Sequence, residues 1–255
     1  MFRRILIPTD FSTASEWIFE DAVRIASASG AEVLILHVRM TWSSSPEELR
    51  FPADPSLYDY AEQLELERLR ESVRGRDITT RLIVRQAPDP GNEICRTAKA
   101  ENADLIVIAT HARHHIAHFF IGSTTLAVLN DPPAPVMAIR YGTRKREQLN
   151  RIVVPVHPKQ TSHAALDLAT SLNGELHAIT VCGEDETVEI ALPENAKHVI
   201  VKGTDAAKEI VRYAQRIDAD AVFLNAHGEL SEDKMDIVRH VPCPVVVVPG
   251  LTPSS

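Results

Sequence analysis

The sequence has little cysteine and no long apolar run, and both absences restrict the kind of protein it encodes. Its 255 residues include three cysteines, Cys95, Cys182 and Cys243. They lie too far apart in sequence to suggest a disulfide framework or a thiolate metal cluster. No apolar stretch is long enough to span a bilayer, and a strand-like phrase follows the N-terminus at once, so no signal peptide is visible. These absences predict a cytoplasmic protein without a membrane partner.

An excess of basic residues is also missing. Lysine and arginine number 27 against 35 aspartate and glutamate residues, and the formal net charge is −8, which argues against nucleic acid as a partner. Two catalytic signatures are absent as well, because the chain contains neither a Gly-x-x-x-x-Gly-Lys-Ser/Thr phosphate loop nor a Gly-x-Ser-x-Gly nucleophile elbow. With no obvious general base, the sequence predicts a protein that is not an efficient enzyme, although slow ATP hydrolysis stays open.

The chain contains an internal repeat of three phrases in the same order. The repeated pairs are 4–10 with 151–157, 103–108 with 219–224, and 133–139 with 242–248. Three matched phrases indicate the duplication of a whole domain. We therefore predict one domain over 1–143 and a shorter one over 149–250, joined by the polar stretch from Tyr141 to Asn150.

Each half alternates short apolar strands with helices. In the first half we expect strands over 3–9, 33–38, 78–84, 105–109 and 136–139, and helices over about 13–29, about 60–74, 91–101 and 123–130. An irregular stretch is expected from Thr41 to Asp59. Strands that are apolar almost throughout and alternate with helices predict a parallel sheet covered on both faces, and hence two tandem doubly wound α/β domains.

Ligands of such sheets bind at the carboxyl ends of the strands, near the switch in strand order. Pro8, Thr9 and Asp10 end the first strand, and Asp10 could accept hydrogen bonds from a ribose or an adenine amino group. The segment after the fourth strand ends in Gly122-Ser123-Thr124 at a predicted helix start, where free backbone N–H groups suit a phosphate. The alternative is structural, since Gly-Ser is a common helix cap and aspartate a common turn residue.

Four phrases carry a resemblance to a known family: Ile5-Leu-Ile-Pro-Thr-Asp-Phe-Ser12, Leu36-His-Val38, Ala103-Asp-Leu-Ile-Val107 and Pro133-Ala-Pro-Val136. Over nearly its whole length the chain resembles the tandem, two-domain form of the universal stress protein family. That resemblance implies the Rossmann-like fold of the adenine nucleotide alpha hydrolases. It also implies that the two halves pair through their last strands as an intrachain pseudo-dimer, with a homodimer as a further option.

The resemblance also implies a site for ATP, with Mg²⁺ as a candidate companion, in the first domain only. Nucleotide-binding members carry Gly, two residues, Gly, nine residues, Gly and then Ser or Thr after the fourth strand. This chain keeps the spacing and the final Gly-Ser, but both earlier glycines are alanines. The implied adenosine frame is Pro8, Asp10 and Val38, and the implied phosphate-lining residues are Ala109, Ala112, Gly122, Ser123 and Thr124. Arg113 would supply a positive charge there.

The second half departs further from that pattern. His157 stands where the first half has Asp10, and the loop after its fourth strand lacks both the nine-residue arm and Gly-Ser. We therefore expect a degenerate partner domain that binds no nucleotide.

Four histidines, His111, His114, His115 and His118, crowd the long loop of the first half. Two pairs are four residues apart, which on a helix would suit a transition metal. A solvated arm, or polar groups near a phosphate, is the alternative, and we predict no metal.

Two functions compete on this reading. The first is a cytoplasmic stress-response module that senses or stores an adenine nucleotide in its first domain. The second is a nucleotide-free interaction module for an unidentified protein partner, in which both sites are lost.

Overall fold

The computed structural model describes residues 2–41, 55–110, 121–145, 148–159, 162–226 and 228–250. Strands and helices alternate along this part of the chain. The strands are β1 (Arg4–Thr9), β2 (Glu32–Met40), β3 (Thr80–Ala87), β4 (Leu105–Ala109), β5 (Val136–Ile139), β6 (Arg151–Pro155), β7 (Glu175–Cys182), β8 (Ala196–Lys202), β9 (Ala221–Ala226) and β10 (Val245–Pro249). The helices are α1 (Thr13–Ser29), α2 (Pro55–Ser72), α3 (Pro90–Ala100), α4 (Ser123–Asn130), α5 (Ala164–Thr170), α6 (Ala206–Arg216) and α7 (Glu232–His240).

The ten strands form one sheet in the order β3-β2-β1-β4-β5-β10-β9-β6-β7-β8. Each half is parallel internally, and the halves meet where β5 pairs antiparallel with β10, Met137 facing Val246. This arrangement confirms the predicted pair of doubly wound α/β halves packed as a pseudo-dimer. Because the two halves run in opposite directions, the carboxyl ends of their strands point to opposite edges of the sheet.

The internal repeat specifies matching contacts in the two halves. Asp104 accepts hydrogen bonds from the backbone N–H of Arg3 (2.8 Å) and Arg4 (3.0 Å) at the start of β1. Asp220 accepts the equivalent pair from Asn150 and Arg151, at 2.9 and 2.8 Å, at the start of β6. The aspartate of the repeated Ala-Asp phrase thus holds the start of the first strand of each half beside the fourth strand of that half.

Local signals explain most of the element boundaries. Ser12 caps α1 by accepting from the backbone N–H of Ser15, and Gly30 ends the helix in the left-handed conformation, at φ 65°, as expected for a glycine in that position. The prediction that Thr41 to Asp59 is irregular is wrong from Pro55 onward. A proline is well suited to the first turn of a helix, where its missing N–H costs nothing.

The apolar core lies on both faces of the sheet. Helices α3, α4, α6 and α7 cover one face, and α1, α2 and α5 lie on the other. In the second half, 183–195 connects β7 to β8 without the helix that α2 provides in the first half. Among the described residues, no helix combines the length and apolar character that a membrane crossing requires.

Side-chain contacts join the two halves and fix the start of the connection between them. Arg140, at the end of β5, donates to the backbone carbonyl of Arg239 in the last turn of α7 at 3.0 Å. Along the connection, Tyr141 meets the Trp17 ring edge-on at 5.7 Å, and the Lys145 ammonium lies 5.2 Å from the centre of that ring. The polar connection predicted from the sequence is therefore docked on α1.

Candidate functional site

A cleft of about 910 Å³ opens at the carboxyl edge of the first half, where β1, β2 and β4 end. The structure brings six of the sequence-predicted site residues together around it: Pro8, Thr9, Asp10, Val38, Ala109 and Thr124. Gly122 and Ser123 adjoin Thr124 at the start of α4 but do not line the cleft. Ala112, Arg113 and the four clustered histidines lie outside the described residues.

Asp10 organises the first turn of α1. Its Oδ1 accepts hydrogen bonds from the backbone N–H of Ser12 and the hydroxyl of Ser15, both at 3.0 Å. Its Oδ2 has no hydrogen-bond partner within the described part of the chain. The structural and the ligand-binding interpretation of Asp10 are therefore compatible, because each uses a different oxygen of an exposed carboxylate.

Phe11 adopts a backbone conformation that the sequence gives no reason to expect. Its φ is 58°, a region that bulky L-residues rarely enter and that costs on the order of 1–3 kcal/mol. The Phe11 N–H donates to the Thr9 hydroxyl at 3.1 Å, and its ring lies 4.4 Å from that of His37. His37 is buried, and its Nδ1 lies 2.9 Å from the Thr9 carbonyl oxygen, which ties the ends of β1 and β2 together beside the cleft.

Helix α4 begins at the opposite side of the cleft. Gly122 is its N-cap, with φ −62° and no side-chain capping bond, so the first backbone N–H groups of the helix have no intrahelical partner. The buried Thr125 hydroxyl donates to the Ala109 carbonyl oxygen at 2.8 Å. That bond fixes the helix start against the end of β4.

The alanine that replaces the first glycine of the family pattern carries no backbone strain. Ala109 does not adopt positive φ, since it is the last residue of a regular strand. The methyl group of Ala109 therefore costs no backbone strain. Only direct contact between the methyl group and a ligand could make it unfavourable.

The matching positions of the second half carry different chemistry. Counting back from the two Pro-x-Pro phrases, Glu232 and Asp233 replace Ser123 and Thr124, and Lys234 replaces Thr125. The Lys234 ammonium donates to the backbone carbonyl of Asn225 at 2.8 Å, as Thr125 does to Ala109, and burial lowers the pKa of this lysine. Two acidic side chains at a helix N-terminus interact favourably with its dipole and repel a phosphate.

Among the lining residues of the first-half cleft that sequence reasoning missed, three are joined by ion pairs. Arg39 at the end of β2 contacts two acids of α2: its Nη1 lies 2.9 Å from the Asp59 carboxylate, and its Nε pairs with Glu62. The other Glu62 oxygen lies 3.4 Å from His37 Nε2. Arg39 follows Val38 directly, but nothing in the sequence places residues 59 and 62 beside it.

The described residues contain no group of three histidine, cysteine, aspartate or glutamate side chains arranged to hold a metal ion. No disulfide joins the three cysteines, all of which lie in the described part of the chain, and burial raises the pKa of Cys95 to about 11.

The chain is similar to known proteins over both halves. A family model described as the universal stress protein family matches residues 1–140 and 183–249. A universal stress protein of Thermus aquaticus is 29% identical over 145 residues, which are 55% of this chain and all of that protein. A crystal structure of a universal stress protein from Archaeoglobus fulgidus matches with a TM-score of 0.72 and 21% identity, covering 96% of this chain and 98% of that one.

A putative universal stress protein from Pseudomonas aeruginosa has the same fold. Its structure matches with a TM-score of 0.62 and 16% identity, over 98% of this chain and 94% of that one. The family match spans most of the chain, and the two solved structures share its fold over nearly the whole length. The chain belongs to the universal stress protein family.

Proposed function

We propose that the first half of the chain, residues 1–143, binds an adenine nucleotide such as ATP and acts as a stress-response sensor or binding module. The observation that carries the proposal is the cleft of about 910 Å³ at the carboxyl edge of β1, β2 and β4. Its size is within the range of small-molecule sites, and its position is the usual one for ligands of doubly wound sheets. The free N–H groups at the start of α4 would receive a phosphate, with Mg²⁺ as a candidate companion.

The second half, residues 149–250, takes no nucleotide in this proposal. Acidic Glu232 and Asp233 stand at the helix start that would have to accept a phosphate, and Lys234 is engaged with the Asn225 carbonyl. The second half serves instead as a permanent partner for β5. One nucleotide per chain is the expected stoichiometry.

The same cleft supports binding over efficient hydrolysis. A general base needs a carboxylate or imidazole free to take a proton from water. Among the groups that line the described cleft, Asp59 and Glu62 are paired with Arg39. His37 lies against the Thr9 carbonyl and Glu62. Asp10 holds the start of α1 through Oδ1, and its Oδ2 is the oxygen assigned to the ligand. We therefore infer a binding module in which any hydrolysis is slow.

A nucleotide-free interaction module is the second candidate. One observation favours it: the described cleft lining carries three carboxylates but a single arginine, Arg39, and that arginine is already paired. A pocket of this kind does not by itself attract a triphosphate.

Isothermal titration of the full chain with ATP separates the candidates. We expect one site in the parent protein and no measurable site in Gly122→Val. The Gly122 backbone accepts a side chain, because a Cβ would approach no atom closer than the Thr110 carbonyl oxygen, at 4.0 Å, so the variant should fold. Ser231→Val is the matched control, since Ser231 occupies the equivalent N-cap with φ −61°.

The control should retain the parent affinity. No ATP binding in the parent protein would favour the interaction module, and equal loss in both variants would disprove the assignment of the site to the first half.

A further inference from the structure

A second cavity adjoins the cleft of the first half. Its volume is about 430 Å³, and Arg39, Asp59 and Glu62 line both this cavity and the larger cleft. Residues that face two spaces form the boundary between them. These three side chains, named the Arg39 gate from here on, therefore separate the cleft from additional room beside α2.

Ion pairs hold the Arg39 gate closed. The arginine from β2 reaches the two carboxylates on α2 through different nitrogens, Nη1 toward Asp59 and Nε toward Glu62. About a quarter of the Arg39 and Glu62 side chains is exposed, against 62% for Asp59. Partly exposed pairs are screened by water and contribute little net stability, so the gate restricts space without fixing the fold.

The gate lies at the nucleoside end of the cleft. Strand β1 separates β2 from β4 in the sheet, and neighbouring strands lie roughly 4.8 Å apart. The start of α4, where phosphates would bind, follows β4, whereas Arg39 is the second-last residue of β2 and follows Val38. A nucleotide with its phosphates at α4 would therefore point its base or ribose toward the gate.

The space behind the gate has an apolar side. Leu66 from α2 and Leu82 and Val84 from β3 form that side, and Gln63 and Glu67 of α2 complete the lining outside the gate. Because Arg39 is the one basic side chain among the described lining residues, this space favours an uncharged, apolar group over an anionic one.

We propose that the Arg39 gate sets the ligand specificity of the proposed nucleotide site, on which this inference rests. In its closed, ion-paired form it excludes adenine nucleotides that carry an apolar substituent on the base or ribose. Opening it would admit them into the second cavity. The gate would therefore act by steric exclusion of substituted nucleotides and would not strengthen the binding of ATP itself.

The test compares nucleotides in the full chain by titration. The probes are ATP, ATP benzylated at the adenine amino group, ATP carrying an aromatic ester on the ribose, and ATP with a bulky label on the γ-phosphate. The opening variant is Arg39→Ala, with Glu62→Ala as a second one should the first not fold. Arg85→Ala is the matched control, because this exposed arginine of β3 lines neither cavity.

In the opening variants, the affinity of at least one base- or ribose-substituted probe should rise about tenfold or more relative to that of ATP. The γ-labelled probe should show no such gain, and Arg85→Ala should show none for any probe. If both opening variants bind ATP and the affinity of each probe relative to ATP is unchanged, the role of the gate in specificity is refuted and the proposed function stands. Absence of all nucleotide binding in the parent protein would overturn the proposed function and the gate with it.

Discussion

Replacing Thr125 with valine tests how the start of α4 is fixed to the sheet. The Thr125 side chain is buried, and its hydroxyl donates to the Ala109 carbonyl oxygen at 2.8 Å. Valine has nearly the same shape, so the change removes the donor without leaving a cavity. A buried acceptor that loses a hydrogen-bond donor costs about 1–3 kcal/mol, and for a protein of this size 1 kcal/mol corresponds to a change of about 2–4 °C in Tm.

We therefore expect Thr125→Val to lower the Tm by about 2–12 °C in thermal unfolding followed by circular dichroism. Thr124→Val is the matched control. Thr124 also sits in the first turn of α4 and lines the same cleft, but its side chain is only partly buried, so the stability of Thr124→Val should stay within about 0.5 kcal/mol of the parent. Although Thr124→Val should hardly change stability, it should lower ATP affinity about tenfold if the Thr124 hydroxyl binds phosphate. Equal Tm values for the two variants would refute the role assigned to the Thr125 hydroxyl.

Four further results are expected. Lys234→Met should cost about 1–3 kcal/mol in urea unfolding, because it removes the matching bond in the second half, and should leave ATP stoichiometry unchanged. Burial lowers the pKa of His177 against the opposing effect of a nearby glutamate, so the folded state binds fewer protons than the unfolded state. Stability should therefore fall as the pH drops below about 6.5, and His177→Gln should weaken this dependence of stability on pH. The fragment 1–143 should self-associate in sedimentation, because its last strand loses its partner, and a stable monomer would contradict this. The double variant Ala109→Gly, Ala112→Gly should bind ATP about tenfold more tightly, because it removes two methyl groups that the family resemblance places beside the phosphates. Unchanged affinity would show that neither methyl group weakens ATP binding.

The sequence predicts the regular elements well where glycine, proline or a repeated phrase bounds them. Strand β4, helix α4 and strand β5 begin and end where the pattern places them. Strand β3 is displaced, covering Thr80–Ala87 instead of 78–84, since an edge strand has a weaker apolar pattern. The antiparallel β5–β10 junction came from family resemblance, because an apolar strand alone does not reveal its partner.

The candidate site is only partly accessible from sequence for a physical reason. Residues that end parallel strands meet at one edge of the sheet, so Asp10 and Ala109 could be grouped in advance, whereas Val38 was added by the family resemblance. Asp59 and Glu62 could not, because the position of α2 depends on packing against the sheet and not on its own pattern. The conformation of Phe11 was equally hidden, since positive φ is expected of glycine and here occurs in a phenylalanine.

The two halves have diverged at their edges and not at their junction, and the sheet explains the difference. Strands β5 and β10 supply apolar side chains and backbone hydrogen bonds to each other, so a polar change in either strand would leave buried groups unpaired in both halves. The carboxyl edges point to opposite sides of the sheet, so a change at one edge does not require a change at the other. Lys234 could therefore replace a threonine, and acids could replace Ser123 and Thr124, while the first half kept its cleft. If the second half binds no nucleotide, as proposed, it is still required as the structural partner of β5 in the first half.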